Sequence, residues 1–188
     1  MNLVFLLEEL SAKDLLQGLL PRLLCPSVTL HFLVFEGKQD LERQLVRKLR
    51  GWGRPSSAFV VLRDQDAGDC VDVKKGLLAK VDESGRDNTI VRIACRDLEA
   101  WIVGDWASVA RAFKRPQLAE LSNKKAFRNP DFVVRPVEAL RKQLPEYQKR
   151  DGARQLGRLL NPQTNKSRSF QVFCAGVRRG RGSSRCST

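Results

Sequence analysis

Histidine is almost absent from this sequence, which contains a single one, His31, among 188 residues. His31 lies within the apolar run 29–35, where we expect it to pack in a strand rather than to act in a site. Serine–histidine and cysteine–histidine nucleophilic systems need a histidine base, so neither has support in this chain. Any catalysis must therefore use other groups.

Closely spaced cysteines and long apolar runs are also missing. No CxxC pair occurs, so a zinc site or a disulfide framework is not expected, and a reducing compartment fits. No apolar run approaches the roughly 20 residues of a membrane span. The apolar start 1–7 is followed at once by two glutamates and preceded by no basic residue, which indicates a strand rather than a signal peptide. A cytoplasmic location is the default expectation. The five cysteines are scattered over the chain: Cys25, Cys70, Cys95, Cys174 and Cys186.

Positive charge is concentrated in the last two-fifths of the chain. Residues 1–110 contain 15 Lys and Arg against 16 Asp and Glu, a net charge of −1. Residues 111–188 contain 19 against 5, a net charge of +14. This asymmetry favours a polyanionic partner such as nucleic acid, because each neutralised phosphate releases counterions. A basic surface that only keeps the protein soluble stays open as the alternative.

Short apolar runs alternate with segments of helical spacing along the first part of the chain. Such alternation predicts a three-layer α/β fold with a parallel or mostly parallel central sheet. We predict a core over residues 1–113, a basic and mainly helical C-terminal extension of the same domain over 114–177, and a disordered basic tail over 178–188. Within the extension, residues 169–177 are interpreted as a strand or a buried end. The predicted strands are 2–7, 27–35, 58–62 and 89–94.

Acidic residues follow two of these strands directly. Glu8 ends the first strand, and Asp64 and Asp66 follow the third. In open parallel sheets, ligands bind outside the carboxyl ends of the strands, so these three carboxylates converge if the two strands are neighbours. Mg²⁺ prefers such oxygen ligands and can activate water without a histidine. A simple turn at Asp64–Asp66, or the site of a nucleotidyl- or sugar-transferase, stays open.

Further polar residues are candidates for the same edge. Gly37-Lys38 is not a Walker A loop, but Lys38 could reach a phosphate from the end of the second strand. Glu99 and Asp105 could hold a second metal, or could instead form a buried ion pair or a helix cap. Phosphate contacts without base readout are predicted for five basic residues of the extension: Lys124, Lys125, Arg128, Arg150 and Arg154. Four more could complete a basic wall beside the acidic site: Arg141, Lys142, Lys149 and Arg158.

Several short motifs occur in order along the chain. They are Glu8-Glu9-x-Ser11-Ala12, Gly37-Lys38, Asp64-x-Asp66, Asp69-Cys70 with Lys74, Arg92-Ile93-Ala94-Cys95, Leu98-Glu99-Ala100-Trp101 with Asp105, and Ser167-Arg168-Ser169-Phe170. Taken together, these motifs resemble those of the bacterial domain-of-unknown-function family 4276, whose members look like TOPRIM domains. The resemblance covers most of residues 1–173.

The resemblance implies a function and a set of roles. TOPRIM domains occur in topoisomerases, primases and the overcoming-lysogenisation-defect nucleases, with a glutamate after the first strand and Asp-x-Asp after the third. By resemblance, Glu8 takes the glutamate role, and Asp64 and Asp66 bind Mg²⁺ or Mn²⁺. Glu9 stands where many TOPRIM proteins have glycine, so either glutamate could face the metal. We expect a metal-dependent nuclease, and the resemblance also implies an ATPase partner in phage defence. A non-catalytic module that docks on an ATPase or on nucleic acid is the alternative.

Overall fold

Four parallel strands form the centre of the molecule. The computed structural model describes residues 1–179. Its strands are β1 (Asn2–Leu7), β2 (Thr29–Val34), β3 (Ser57–Asp64) and β4 (Thr89–Ala94), and their order in the sheet is β2-β1-β3-β4. Every neighbouring pair is parallel. The predicted α/β class with a parallel sheet is therefore confirmed.

Helices cover both faces of this sheet. The chain forms α1 (Leu10–Leu19), α2 (Lys38–Arg50), α3 (Cys70–Ser84), α4 (Glu99–Val103), α5 (Trp106–Ala112), α6 (Pro136–Gln143), α7 (Lys149–Gly157) and α8 (Arg168–Arg179). Leu41 of α2 and Leu77 of α3 pack in one core cluster with Val4 and Leu6 of β1. The remaining helices enclose the second cluster, on the opposite face.

The alternation of side chains along β1 explains why two clusters exist. Successive side chains of a strand point to opposite faces, so an uninterrupted apolar run supplies both. Phe5 lies in the larger cluster and Leu6 in the smaller, and both are fully buried. A continuous apolar strand therefore requires helices on both faces, which gives three layers.

The C-terminal part packs on the larger core cluster rather than standing apart from it. Tyr147, Phe170 and Phe173 are fully buried in the cluster that also contains Phe5. The interpretation of 169–177 as a strand is wrong, because this segment belongs to helix α8. Its apolar residues repeat at a spacing that a buried strand and a buried helix share.

The predicted disordered tail begins too early. Arg178 and Arg179 are the last two residues of α8. The rest of the predicted tail, 180–188, lies outside the described residues.

Two smaller expectations from composition can also be compared with the structure. Within residues 1–179, no helix is both long enough and apolar enough to cross a membrane. Cys70, Cys95 and Cys174 are free.

Candidate functional site

The carboxyl ends of β1 and β3 lie side by side, as the convergence of the acidic residues requires. Leu7 of β1 is in register with Leu62 of β3. The backbone N–H of Asp64 donates to Glu8 Oε2 at 3.2 Å. Glu8 and Asp64 are therefore brought together at one edge of the sheet.

Asp64 carries the least compensated of these carboxylates. Its side chain is half-buried, and among residues 1–179 it forms no ion pair and accepts no hydrogen bond. Burial, and then the charge of Glu8 and Glu9, raises the pKa of Asp64 well above its ordinary value. Burial also raises the pKa of Glu8, although the hydrogen bond from the Asp64 amide partly offsets this effect. Asp64 therefore lacks a cation of its own, whereas Glu8 has Arg63 Nε 4.0 Å from its Oε2.

Asp97 and Glu99, which follow β4, lie at the same edge, since their charges also raise the pKa of Asp64. The acidic edge is the set of carboxylates at these strand ends: Glu8, Glu9, Asp64, Asp66, Asp97 and Glu99. Burial raises the pKa of Asp97 to about 6 and that of Glu99 to about 7. Glu99 is 1% exposed, and its Oε2 is buried without a hydrogen-bond partner, as is Oδ1 of Asp97. Asp97 was not predicted as a site residue. The same strand-end rule points to it, since Asp97 lies three residues after the last residue of β4.

One ammonium group faces this acidic edge from the C-terminal part of the chain. Lys149 Nζ lies 3.4 Å from Glu9 Oε1 and 3.7 Å from Glu99 Oε2. Burial lowers the pKa of Lys149, but the carboxylates of Glu99 and Glu9 outweigh it and raise the pKa overall. The Tyr147 hydroxyl donates to Glu99 Oε1 at 3.2 Å. Lys149 was predicted only as part of a basic wall. Its contacts with Glu9 and Glu99, and that of Tyr147 with Glu99, were not predicted, because nothing in the local sequence connects these residues with a strand end.

Asp66 is oriented differently from Asp64. Lys38 Nζ lies 2.9 Å from Asp66 Oδ2, and Arg63 Nη2 lies 3.9 Å from the same oxygen. Arg63 Nε is also 4.0 Å from Glu8 Oε2. The three predicted acidic residues thus share an edge, but Asp66 is already paired with cations whereas Asp64 is not.

Lys38 is placed at this edge by the turn after β2. The Gly37 N–H donates to the Glu8 carbonyl oxygen at 3.1 Å, which fixes the turn against the end of β1. Gly37 has a φ of 88°, a conformation that glycine adopts without strain, and α2 begins at the next residue. Lys38 is therefore the first residue of a helix whose start is fixed beside the acidic residues.

Asp105 does not take part in the acidic edge. Its Oδ1 accepts from the Ser108 N–H, and its Oδ2 accepts from the Ser108 hydroxyl and from the Asn161 N–H. It is the N-cap of α5 and connects that helix with the segment after α7. Of the three roles considered for Asp105, a metal ligand, a buried ion pair and a helix cap, the structure gives the helix cap.

The five basic residues predicted to contact phosphates fall into two groups. Arg150 and Arg154 both pair with Asp14 of α1, at 2.7 and 3.4 Å, so part of their charge is already compensated. The other three are exposed and form no ion pair within the described part of the chain: Lys124, Lys125 and Arg128.

The fit of the acidic edge to Mg²⁺ rests on its donor chemistry. The available donors are carboxylate oxygens, and those of Asp64, Asp97 and Glu99 include unpartnered ones. Over residues 1–179, no three His, Cys, Asp or Glu side chains are arranged as a ready-made metal site. Mg²⁺ usually binds through one or two carboxylates and keeps several waters, so it needs no such protein cage. The residues therefore fit a hydrated Mg²⁺ better than an ion enclosed by protein ligands.

Comparison with known proteins gives one match. The family model described as "Domain of unknown function (DUF4276)" matches residues 7–178. No curated protein and no solved structure matches the chain.

Proposed function

The chain belongs to the DUF4276 family, and from its site we propose that it is a TOPRIM-like, metal-dependent enzyme that cleaves phosphodiester bonds of nucleic acid. The observation that carries this proposal is the half-buried, unpartnered carboxylate of Asp64 beside Glu8. Carboxylates crowded together with raised pKa values are typical of sites that bind a cation or move a proton.

Glu8 and Asp64 are the residues that would hold Mg²⁺. A bound Mg²⁺ polarises a phosphoryl oxygen and lowers the pKa of a coordinated water. The single histidine, His31, is hydrogen-bonded to Asn2 at the amino end of the sheet, 3.0 Å away, so it does not serve as a base at this edge. The acidic residues themselves must therefore position or deprotonate the attacking water.

Asp66 and Lys38 extend the acidic edge toward a phosphate. Lys38 is 46% exposed, and its ammonium group reaches solvent beside Asp66. An exposed ammonium next to a cation-binding pair can contact a phosphate oxygen of the substrate. In this proposal Asp66 orients Lys38 and the attacking water, or holds a second ion.

A cleavage assay with isosteric variants tests the proposal. Purified protein is incubated with supercoiled plasmid and with labelled single-stranded DNA and RNA, in Mg²⁺, Mn²⁺ or EDTA. We expect metal-dependent cleavage that Asp64→Asn and Glu8→Gln abolish. The matched control is Asp72→Asn, which changes an exposed aspartate of α3. Cleavage that survives in Asp64→Asn would refute the proposed site.

A second candidate is a non-catalytic module that binds nucleic acid or an ATPase partner. The position of Lys149 favours it, because the ammonium already neutralises part of the charge that a metal would need. This candidate predicts salt-sensitive nucleic-acid binding that EDTA leaves unchanged, with no turnover in any metal. Repeating the cleavage assay with a candidate ATPase added separates an inactive module from an enzyme that needs its partner.

A further inference from the structure

A groove opens beside the acidic edge, on the side of β4. Its volume is about 500 Å³, within the range of small-ligand pockets. Gln65, which lies between Asp64 and Asp66 in the chain, forms part of its wall. The Gln65 side chain accepts from the Arg96 N–H at 3.1 Å and donates to the Gly68 carbonyl oxygen, so this wall is fixed. The groove therefore begins one residue from the carboxylate proposed to hold the metal.

An exposed aromatic ring stands at this groove. Phe132 lines it and is 72% exposed. Among residues 1–179, it is the only aromatic among the large hydrophobic side chains that are exposed. A ring presented to water in this way buries little apolar surface and does not contribute to the core.

The exposure of Phe132 does not come from a loose loop. Its neighbour Asp131 is buried and accepts from the Ser167 hydroxyl at 2.6 Å and from the Ser169 N–H at 2.7 Å. These bonds tie the short 3-10 turn Pro130–Phe132 to the start of α8. These hydrogen bonds thus hold the turn that carries the Phe132 ring at the groove.

Two arginine side chains accompany the ring. Arg96 and Arg168 line the groove, and neither side chain forms an ion pair or hydrogen bond within the described residues. Two acidic residues also line it, but they accept hydrogen bonds from uncharged groups and pair with neither arginine. Asp69 accepts from the N–H groups of Val71 and Asp72 as the cap of α3, and Asp131 is held by its serine partners.

We propose that this groove binds one unpaired nucleotide of a single-stranded nucleic acid, with its base stacked on Phe132 and its phosphates against Arg96 and Arg168. Aromatic rings stack on any base, but the bases of a duplex are already stacked and paired, so the ring needs a single strand. The guanidinium groups of half-buried Arg96 and exposed Arg168 supply the phosphate contacts. This inference rests on the proposed function and specifies its substrate as single-stranded.

Fluorescence anisotropy in EDTA tests binding without cleavage. The probes are a labelled single-stranded DNA, a labelled single-stranded RNA and a labelled duplex, with a free mononucleotide as competitor. Phe132→Ala is expected to weaken single-strand binding about tenfold, the loss expected for one stacked base. Phe132→Tyr is expected to bind as the wild type does, because it keeps the ring. Duplex binding should be weaker and insensitive to Phe132→Ala.

Two matched controls distinguish the groove from the rest of the surface. Val134→Ala removes a side chain that is 71% exposed but does not line the groove, and it should bind normally. Arg168→Gln should weaken binding and lower its salt dependence, whereas Arg47→Gln, an exposed arginine of α2, should do neither.

Several results would overturn the inference. The first is that Phe132→Ala binds the single strand as tightly as the wild type does. The second is that Phe132→Ala weakens duplex and single-strand binding equally, and the third is that the wild type does not bind single strands. Equal losses in Phe132→Ala, Phe132→Tyr and Val134→Ala would also overturn it and would indicate a hydrophobic face for a protein partner. Displacement of the single strand by the mononucleotide at equal concentration would point to a free nucleotide as the ligand and overturn it too.

The two proposals can fail separately. If single-strand binding depends on Phe132 but no metal supports cleavage, only the proposed enzyme function fails. If Asp64→Asn abolishes cleavage while Phe132→Ala binds normally, only the groove assignment fails.

Discussion

Replacing Glu99 by glutamine should stabilise the protein at pH 8. Glu99 is 1% exposed, and its pKa is raised from 4.5 to about 7, chiefly by burial. This difference in the pKa of Glu99 between the unfolded and folded chains means that ionised Glu99 lowers the free energy of unfolding by about 3 kcal/mol relative to protonated Glu99. Glutamine keeps the oxygen that accepts from the Tyr147 hydroxyl but carries no charge. The variant should therefore gain up to about 3 kcal/mol in free energy of unfolding where the wild type is ionised.

The direction of the pH dependence follows from the raised pKa. Between about pH 4.5 and 7 the folded state binds more protons at Glu99 than the unfolded state does. The stability that protonated Glu99 contributes is therefore fully present below pH 4.5 and is lost as the pH rises through 7. Asp97, with a pKa raised from 3.8 to about 6, adds a contribution of the same sign.

Urea unfolding at pH 5, 6, 7 and 8 in EDTA measures this effect. We expect the free energy of unfolding of the wild type to fall between pH 5 and 8, and that of Glu99→Gln to fall less. Glu138→Gln, an exposed glutamate of α6, serves as the control and should follow the wild type. A Glu99→Gln protein that keeps the full pH slope, or is less stable than the wild type at pH 8, would refute the reasoning.

Three further predictions follow from the contacts. Lys149→Met removes the ammonium group that pairs with Glu9 and Glu99, so it should lower the Tm at pH 8 in EDTA. Adding Mg²⁺ should raise the Tm of this variant more than that of the wild type. An equal rise in both proteins would contradict the prediction. Gly157→Ala places a Cβ against the Leu15 carbonyl where α1 meets α7, and it should lower the free energy of unfolding by about 2 kcal/mol or more. Gly76→Ala, in open space on α3, should leave the free energy of unfolding unchanged or raise it. Equal effects of the two variants in urea unfolding would contradict the prediction. Asp131→Ala leaves the Ser167 hydroxyl and the Ser169 N–H without their acceptor and should cost about 2–4 kcal/mol in free energy of unfolding, and an unchanged value would argue against this network.

The sheet and most of the acidic edge, with the exception of Asp97, could be predicted from sequence for a local reason. Apolar runs of strand length mark β1 and β3, and in parallel sheets the residues after such runs meet at one edge. This places Glu8 and Asp64 together without any knowledge of side-chain directions. The separate pairing of Asp66 depends on where Lys38 points, which no sequence spacing specifies.

The C-terminal contribution to the site could not be predicted in the same way. Lys149 lies 140 residues from Glu9 in the chain, and its position depends on the packing of α7 against α1. The same limitation applies to the groove. Phe132 and Arg168 are far from Gln65 in sequence. The bonds of Asp131 to Ser167 and Ser169, together with the bond from the Cys95 N–H to Ser169 Oγ, bring their segments together.

The long separation between Glu9 and Lys149 has a consequence for synthesis in the cell. A ribosome releases the acidic residues at the carboxyl ends of β1, β3 and β4 well before it reaches residue 149, and contacts this distant in sequence form late in folding. A nascent chain therefore carries the acidic edge without the ammonium group that partly neutralises it. Products of premature termination before residue 149 would keep the carboxylates but neither α7 nor α8. The charge balance of the acidic edge thus depends on complete translation of the chain.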